Sequence, residues 1–301
     1  MKAFIVERYG SDGLRAADMP DPELREDEVL VQVHAAGVAV RVGVRVRQFK
    51  PGDEVYARPD DFRIGAFAEQ IAVKEDSLAI KPKNLSMEEA AAIPLVGLTA
   101  WQALIEKADL KKGQKVFIQA GSGGVGSFAI QLAKHLGATV ATTTSTANVE
   151  LVKHLGADVV IDYRKDAFET VLQDYDVVLD TLGGEALEKS LRVLKPGGKL
   201  ISIAGPPDPD FAQDIGASWG LRLAMRLLSH RVRTKAKRHH VSYSFFFMRA
   251  NGDQLREIGS LIDAGVIRPV VDRTFPFEST KEALAYVEKG RAKGKVIVKV
   301  R

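Results

Sequence analysis

The most informative absence in this chain of 301 residues is cysteine, which does not occur at all. Disulfide bonds and thiolate-ligated metal sites are therefore excluded, and the composition fits a reducing compartment. The sequence also lacks internal repeats, low-complexity tracts and any apolar run long enough to span a bilayer. Its net charge of only +4 does not by itself argue for a nucleic-acid partner. We expect a cytoplasmic globular protein whose first strand, near Lys2, follows no leader peptide.

A glycine cluster follows an apolar run near the middle of the chain. The run at 116–118 predicts a strand, and 127–136 predicts a helix. Between them lie the turn residues Gly121, Ser122, Gly123, Gly124, Val125 and Gly126. Glycines in such a turn let the backbone approach a pyrophosphate, while the N–H groups and dipole of the helix face its charge. This strand–turn–helix context predicts a dinucleotide site.

Downstream of the glycine cluster, strand and helix patterns alternate. Apolar strands are predicted at 139–143, 159–162, 176–180, 199–203 and 241–248. Helices are predicted at 147–155, 166–173, 187–194 and 252–264. The first ninety residues or so and the stretch 267–301 have β character instead, apart from a helix with a predicted capping box of Ser86 and Glu89. The pattern predicts an α/β fold in which a doubly wound parallel sheet accompanies a β-rich domain.

Several short motifs in one order give the chain a family resemblance. They are AAGV at 35–38, PGDEV at 51–55, GAFAE at 65–69, PLVGLTAW at 94–101, the glycine turn, and GRAKGKV at 290–296. Together they resemble the zinc-free, quinone-oxidoreductase-like branch of the medium-chain dehydrogenase/reductase superfamily. The resemblance implies a Rossmann dinucleotide-binding domain at 95–264 and a GroES-like substrate domain made of 1–94 and 265–301.

One departure from the family pattern lies after Val38. In relatives the corresponding segment continues with an asparagine and a stretch of roughly 30 residues, about the length of a βαβ unit. Here the chain passes through Ala39 directly into the next predicted strand. We therefore expect a shortened GroES-like domain, without the asparagine and part of the substrate pocket that the resemblance would supply.

The residues that follow the predicted strand at 139–143 indicate whether the cofactor is NAD or NADP. NAD enzymes of this fold place an acid about 20 residues beyond the glycines, whereas Thr144 and Ser145 stand there in this chain. Hydroxyls can donate to the 2′-phosphate of NADP, which a carboxylate would repel. The resemblance implies two further residues near the 2′-phosphate. They are Tyr163 and Asn148, the second at a position where relatives carry a lysine. We expect NADPH, the alternative being a hydroxyl-rich turn that only caps the next helix.

Further cofactor contacts are expected near the nicotinamide. Thr99 resembles the family threonine that contacts the nicotinamide ribose, although it can equally be a helix N-cap. Loops beyond the carboxyl ends of parallel strands border the ligand crevice. The remaining candidates are Gly183, Ala204 and Gly205 in such loops, Phe246 through its backbone or as a core aromatic, and Lys295 in the closing motif.

The side chains available for acid–base chemistry are few. The chain has no cysteine and its six histidines lack a zinc-ligand spacing, so we expect no metal. Without a Lewis acid, alcohol oxidation is disfavoured, whereas reduction of a conjugated C=C needs mainly positioning and hydrogen-bond donors. Tyr56 is the candidate substrate-side donor. The alternative is a half-buried strand tyrosine with no catalytic role.

A basic segment, 221–240, carries seven Lys and Arg residues with Leu221, Met225 and Leu228 on an opposite stripe. Such a helix can lie on an anionic membrane or bind nucleic acid, and it can also be a solvated helix face. No aromatic residue interrupts the segment, so we do not expect single-stranded RNA as a partner. The solvated face is the favoured interpretation and the membrane surface is the alternative.

Together these observations predict an NADPH-dependent oxidoreductase that reduces quinones or α,β-unsaturated carbonyls. The alternative is a protein that binds NADPH with impaired catalysis and acts at a partner or membrane surface, which the shortened domain keeps open. A zinc alcohol dehydrogenase would require metal in the purified protein. The resemblance further implies a homodimer formed through the edge strand of the Rossmann sheet, near 241–247.

Overall fold

The strands of the protein are short and belong to two kinds of sheet. The computed structural model describes residues 1–8, 13–61 and 65–301. In these ranges the strands are β1 (Lys2–Val6), β2 (Leu14–Asp18), β3 (Glu28–Val33), β4 (Gly37–Val42), β5 (Glu54–Ala57), β6 (Gln70–Lys74), β7 (Leu78–Ile80), β8 (Lys115–Ile118), β9 (Thr139–Thr144), β10 (Val159–Asp162), β11 (Tyr175–Asp180), β12 (Leu194–Ser202), β13 (Ser242–Phe245), β14 (Val271–Pro276) and β15 (Lys295–Lys299).

The helices are mostly short as well, and no helix in the described ranges is long and apolar enough to cross a membrane. They are α1 (Met87–Ala91), α2 (Pro94–Trp101), α3 (Gly124–His135), α4 (Val149–His154), α5 (Phe168–Val171), α6 (Gly184–Ser190), α7 (Pro209–Asp214), α8 (Trp219–Leu228), α9 (His230–Arg238), α10 (Gly252–Asp263) and α11 (Thr280–Glu288). A π-helical turn, Gln102–Lys107, follows α2.

The first of two compact units contains Met1–Leu98 and Arg249–Arg301. Its main sheet has the strand order β6-β3-β4-β5-β7, with every neighbouring pair antiparallel. Val29, Val55 and Leu78 are fully buried in its core. The Ser86–Glu89 capping box is confirmed at the start of α1. This unit is the expected GroES-like β-rich domain.

The second unit, Thr99–Met248, is a Rossmann domain. Its six strands are all parallel and lie in the order β10-β9-β8-β11-β12-β13. The central strands are apolar along both faces, as parallel strands covered by helices must be, and Phe117, Val178 and Leu200 have no solvent exposure. The predicted doubly wound fold is therefore confirmed.

The domain boundaries differ from the expected ones. Residues 249–264 were expected in the Rossmann domain, but α10 belongs to the first unit. Its buried Leu255 and Ile258 lie on the face that packs against β7. A Cβ on Gly252, at the start of α10, would lie 2.2 Å from the Leu78 carbonyl oxygen, so the helix approaches the strand backbone directly. This close packing, which local periodicity does not encode, explains the difference.

Two further expectations about secondary structure were wrong in detail. The stretch 267–301 contains α11 as well as strands, because β14 and β15 pair in parallel and parallel strands need a crossover connection. In the second unit, α3 and α6 each begin three residues before the predicted start, inside their glycine turns. Gly183, which precedes α6, has a φ of 67°, a conformation that hydropathy patterns do not reveal.

The chain around Val38 forms an antiparallel hairpin of β3 and β4, with a register shift between Leu30 and Val31. Val33 pairs with Gly37, and Gln32 pairs with Val38. A Cβ on Gly37 would lie 2.3 Å from Cγ1 of Val31, so only glycine fits at this point of the hairpin. The chain therefore enters β4 without any intervening helix or pocket-forming segment.

Candidate functional site

The glycine turn lies at the carboxyl end of β8, within the second unit. Ala120 adopts a φ of 49°, and the Gly121 N–H donates to the Thr143 carbonyl over 2.9 Å. Helix α3 then begins at Gly124, with Gly123 as an N-cap that offers no side chain. No acidic residue lies in its first turn. The first N–H groups of α3 are therefore unopposed by carboxylates and can bind an anion.

Two glycines of this turn lie where a side chain cannot fit. A Cβ on Gly121 would come within 2.2 Å of Thr142 Oγ1, and one on Gly126 within 2.4 Å of the Ala120 carbonyl oxygen. Helix and strand thus pack against each other through bare backbone. The turn therefore presents backbone at these two positions, and the close approach of a pyrophosphate to it stays a prediction.

Four predicted cofactor residues meet at the carboxyl end of β9. The buried Thr144 hydroxyl donates to Ser122 Oγ over 3.0 Å. Nδ2 of Asn148 lies 3.2 Å from the same Ser122 oxygen and 3.3 Å from Ser145 Oγ. The buried Oδ1 of Asn148 has no hydrogen-bond partner among the described residues. The cluster therefore combines hydroxyls and an amide, with one polar atom left unsatisfied.

An acidic residue that was not among the predicted site residues lies beside this cluster. Asp162, at the end of β10, is the register partner of Thr144 in the sheet. Its carboxylate accepts from the Thr146 hydroxyl over 2.6 Å and from the Arg164 N–H over 3.1 Å. The Thr146 hydrogen bond holds the pKa of Asp162 below its usual value. Asp162 could have been found from the sequence by assuming that β9 and β10 are parallel neighbours, because their ends then lie side by side.

Tyr163, another predicted cofactor residue, is exposed. It follows β10, and its side chain is 60% exposed. Its backbone N–H donates to the Thr144 carbonyl over 3.1 Å, which attaches it to the end of β9. The aromatic ring therefore lies at the same edge of the sheet as the hydroxyl and amide cluster.

The loops after β11 and β12 are held together by a buried carboxyl group. Asp180 accepts from the Ser202 hydroxyl over 2.5 Å and from the Gly183 N–H over 3.0 Å. Ser202 Oγ in turn accepts from the Gly205 N–H over 2.7 Å. Burial raises the pKa of Asp180. Neither Asp180 nor Ser202 was a predicted site residue, although polar residues at the ends of buried strands were a signal for them.

This network brings together Gly183, Ala204 and Gly205, and their position beside the nicotinamide stays a prediction. A Cβ on Gly183 would lie 2.5 Å from the Ala204 carbonyl oxygen, and one on Gly205 2.6 Å from the Tyr243 hydroxyl. The two loops therefore touch through their backbones at the carboxyl edge of the sheet. That edge is where open parallel sheets bind their ligands.

The backbone N–H of Phe246 is already engaged in a hydrogen bond. Its side chain is buried, and its N–H already donates to the Ser202 carbonyl over 3.1 Å. This N–H is therefore not free for a carboxamide. The buried side chain fits the core alternative, and a contact of the Phe246 carbonyl with the carboxamide stays a prediction.

Thr99 and Tyr56 are both buried, and the contact of Thr99 with the nicotinamide ribose stays a prediction. Thr99 is buried within α2, five residues after the helix begins at Pro94, so it is not the helix N-cap. Tyr56 is 1% exposed, and its hydroxyl donates to the Leu255 carbonyl over 2.5 Å within the first unit. A buried hydroxyl with this partner is not a substrate-side donor. Burial also raises the pKa of Tyr56, which makes proton release harder.

Lys295 lies in β15 of the first unit. Its N–H donates to the Val270 carbonyl over 2.8 Å, and burial lowers the pKa of its ammonium group. Its role toward a cofactor stays a prediction. In the described ranges no group of three or more His, Asp or Glu residues is arranged to hold a metal ion.

Comparison with known proteins places these features among oxidoreductases. Residues 155–298 match the family model described as zinc-binding dehydrogenase. The 2-methylene-furan-3-one reductase of Solanum lycopersicum is 36% identical over 340 residues, covering 99% of this chain and 79% of that protein. The chloroplastic NADPH-dependent alkenal/one oxidoreductase of Arabidopsis thaliana is 35% identical over the same length and coverage.

A solved structure shows the same fold across the whole chain. The quinone oxidoreductase from Coxiella burnetii superposes with a TM-score of 0.86 at 29% identity, covering 100% of this chain and 99% of that one. The alignments with the plant enzymes run over 340 residues, whereas this chain has 301. The chain is therefore shortened relative to these proteins.

Proposed function

Because the chain belongs to the zinc-binding dehydrogenase family, in the quinone-oxidoreductase-like branch of the medium-chain dehydrogenase/reductase superfamily, we propose that it is an NADPH-dependent reductase. Its substrates would be quinones or α,β-unsaturated carbonyls. The observation that carries the proposal is the glycine turn, whose backbone has no room for a Cβ at Gly121 or Gly126. Two relatives support it, since their names give a furanone reductase and an NADPH-dependent alkenal/one oxidoreductase.

The residues of the glycine turn fit a dinucleotide. We assign the pyrophosphate to the backbone of 121–126 and the first N–H groups of α3, which no acidic side chain opposes. The loops at Gly183 and at Ala204–Gly205 would border the nicotinamide, and buried Thr99 would contact its ribose. When bound, the reduced nicotinamide would supply a hydride to the electron-poor carbon of the substrate.

The choice of NADPH over NADH rests on the cluster at the end of β9. Ser145, Asn148 and Tyr163 can all donate to a 2′-phosphate. Rotating the Asn148 amide by half a turn would let the Ser122 and Ser145 hydroxyls donate to Oδ1 and free Nδ2 as a donor. Asp162 lies close by, but hydrogen bonds from Thr146 and Arg164 already engage its carboxylate. The unsatisfied amide therefore supports a ligand at this point.

The substrate would be reduced without zinc, because the sequence lacks the cysteines of the zinc enzymes. With Tyr56 buried in a hydrogen bond to Leu255, we propose that solvent protonates the product. The chain's own contribution would then be binding, orientation and backbone hydrogen bonding.

A second candidate follows from the hairpin at Val38, where the chain passes directly into β4. A protein without that pocket segment could bind NADPH and turn over no substrate.

The quaternary structure and the location of the protein are also proposals. We propose a homodimer through β13, the last strand of the sheet in the described ranges, and a cytoplasmic location, although one relative is chloroplastic.

The test is fluorescence titration with NADPH and with NADH, followed by addition of a quinone and a simple enone. NADPH oxidation on addition supports the reductase, and tight binding without oxidation across a broad panel supports the second candidate. Ser145→Asp should weaken NADPH far more than NADH, while the uncharged Ser145→Asn controls for size. Equal losses for both nucleotides would contradict the assignment of the 2′-phosphate.

A further inference from the structure

Helix α8 exposes its apolar side chains instead of burying them. No residue of α8 is buried, and Trp219 is 82% exposed. The α8 apolar surface consists of Trp219, Leu221, Leu223, Leu227 and Leu228, the four leucines being 45–68% exposed. A single exposed leucine needs no explanation, but Trp219, Leu223 and Leu227 follow one another at intervals of four residues and share one face of the helix. Such an exposed apolar stripe marks an interaction site. The predicted solvated helix face is therefore incomplete as an explanation.

The chain around this surface has charge of one sign. From Ile215 to Gly252 there are eight Lys and Arg residues and no Asp or Glu. Glu188 pairs with Arg231 and Lys235 on α9. Five other cations of α8 and α9 have no ion pair in the described part of the chain, namely Arg222, Arg226, Arg233, Lys237 and Arg238. An unneutralised positive segment thus adjoins the apolar surface.

We propose that α8 and α9 bind the surface of an anionic lipid bilayer. The headgroup region accepts both parts of this surface, since leucine and tryptophan side chains enter the acyl boundary while Arg and Lys approach lipid phosphates. Nucleic acid would engage the cations but leave the leucines in water. A second copy of the chain would bury the leucines but bring the same acid-free segments together. The inference goes beyond the reductase activity and does not depend on it.

Vesicle flotation tests this proposal with the full-length protein. The probes are vesicles of phosphatidylcholine alone and vesicles containing about one quarter phosphatidylglycerol, at low salt. We expect binding only to the second kind, weakening as salt is raised. Trp219 fluorescence should shift to the blue on binding, and Trp219→Phe should abolish the shift while leaving flotation largely intact.

Two variants separate the apolar and charged contributions. Leu223→Glu with Leu227→Glu should abolish flotation, whereas Val44→Glu, at an exposed apolar residue of the first unit, is the matched control. Arg226→Gln with Lys237→Gln and Arg238→Gln keeps the apolar surface and should weaken binding on the order of a hundredfold, roughly fivefold for each cation. NADPH binding should be unchanged in both, which makes failure here distinct from failure of the reductase assignment.

The proposal would be overturned by several results. These are absence of binding to the anionic vesicles, equal binding to both kinds of vesicle, and flotation that survives the Leu223→Glu and Leu227→Glu changes. A change of oligomeric state caused by these two substitutions would indicate a second copy as the occupant. Displacement of the protein from vesicles by a short single-stranded RNA, with the apolar variant still binding RNA fully, would indicate nucleic acid instead.

Discussion

At the scale of single residues, the glycine turn is defined by positions where a methyl group has no room. A Cβ on Gly126 would strike the Ala120 carbonyl oxygen, which is backbone and cannot swing aside. We predict that Gly126→Ala lowers the free energy of unfolding by about 1–3 kcal/mol, the usual cost of overpacking. It should also weaken NADPH binding by about tenfold or more, because α3 must move away from β8. Urea unfolding and fluorescence titration measure the two effects.

Gly220→Ala serves as the matched control for this change. A Cβ at Gly220 meets nothing within 4 Å, and the residue lies in α8, outside the cofactor site. It should leave NADPH binding unchanged and should not lower stability. Wild-type NADPH affinity in Gly126→Ala would mean that the backbone of the turn does not lie close to the pyrophosphate.

Two tyrosines separate a structural role from a binding role. Tyr56→Phe removes the buried hydrogen bond to the Leu255 carbonyl and should cost about 1 kcal/mol of stability with little change in kcat. Tyr163→Phe removes an exposed hydroxyl and should weaken NADPH without affecting NADH or stability. Steady-state kinetics and thermal unfolding of both variants test this pair. A large fall in kcat for Tyr56→Phe alone would restore Tyr56 as a substrate donor.

At the scale of elements, Asp180 joins the ends of β11 and β12, and its stability contribution should depend on pH. Burial raises its pKa, so the folded chain holds this proton more tightly than the unfolded chain does. Stability from this group is therefore present below the unfolded pKa of about 3.9 and is lost as pH rises through the folded value. The asparagine in Asp180→Asn does not titrate. The melting temperature of this variant, relative to that of the wild type, should therefore increase as pH rises above about 4.

Asp109→Asn is the control for this pH series because its sign is opposite. The hydrogen bond from Lys111 lowers the pKa of Asp109, so ionisation of this group favours the folded state. Compared with the wild type, the variant should therefore become relatively less stable as pH rises toward about 4, and the difference should change little above that pH. Parallel pH dependence of the two melting-temperature differences would contradict the proposed role of buried Asp180.

The elements themselves were largely predictable, whereas their contacts were not. Apolar runs predict β8 to β11 and the buried end of β12, whereas the exposed residues at the start of β12 carry no such run. The contact of Asp180 with Ser202 depends on the parallel register of β11 and β12, in which they are partners, and no local pattern encodes that register. Tyr56 was assigned to a strand correctly, yet its burial comes from α10, about two hundred residues later in the chain. The residues whose environment depends on long-range packing were therefore the ones that the sequence did not predict correctly.

At the scale of the whole molecule, the Rossmann unit is an insertion within the first unit. Residues 1–98 and 249–301 build one unit, and about 150 residues, Thr99–Met248, connect its two segments. If the second unit were unfolded, it would be a flexible loop whose closure costs roughly 4 kcal/mol, growing as the logarithm of its length. Folding of the inserted unit removes most of that flexibility. The stability of the first unit should therefore depend on that of the second.

This dependence predicts which parts of the molecule become more stable when NADPH binds. At a concentration of about 100 times its Kd, a ligand that binds only the folded state adds about 2.7 kcal/mol to the free energy of unfolding. Hydrogen exchange should slow at buried strands of the second unit, such as β8. It should slow also at β3 in the first unit, because opening of the inserted unit loosens the segments that it connects. Gly126→Ala, examined at the same NADPH concentration, should show a smaller effect in both units. Protection confined to 99–248 would mean that the two units unfold independently, since the connecting chain would then transmit no stability.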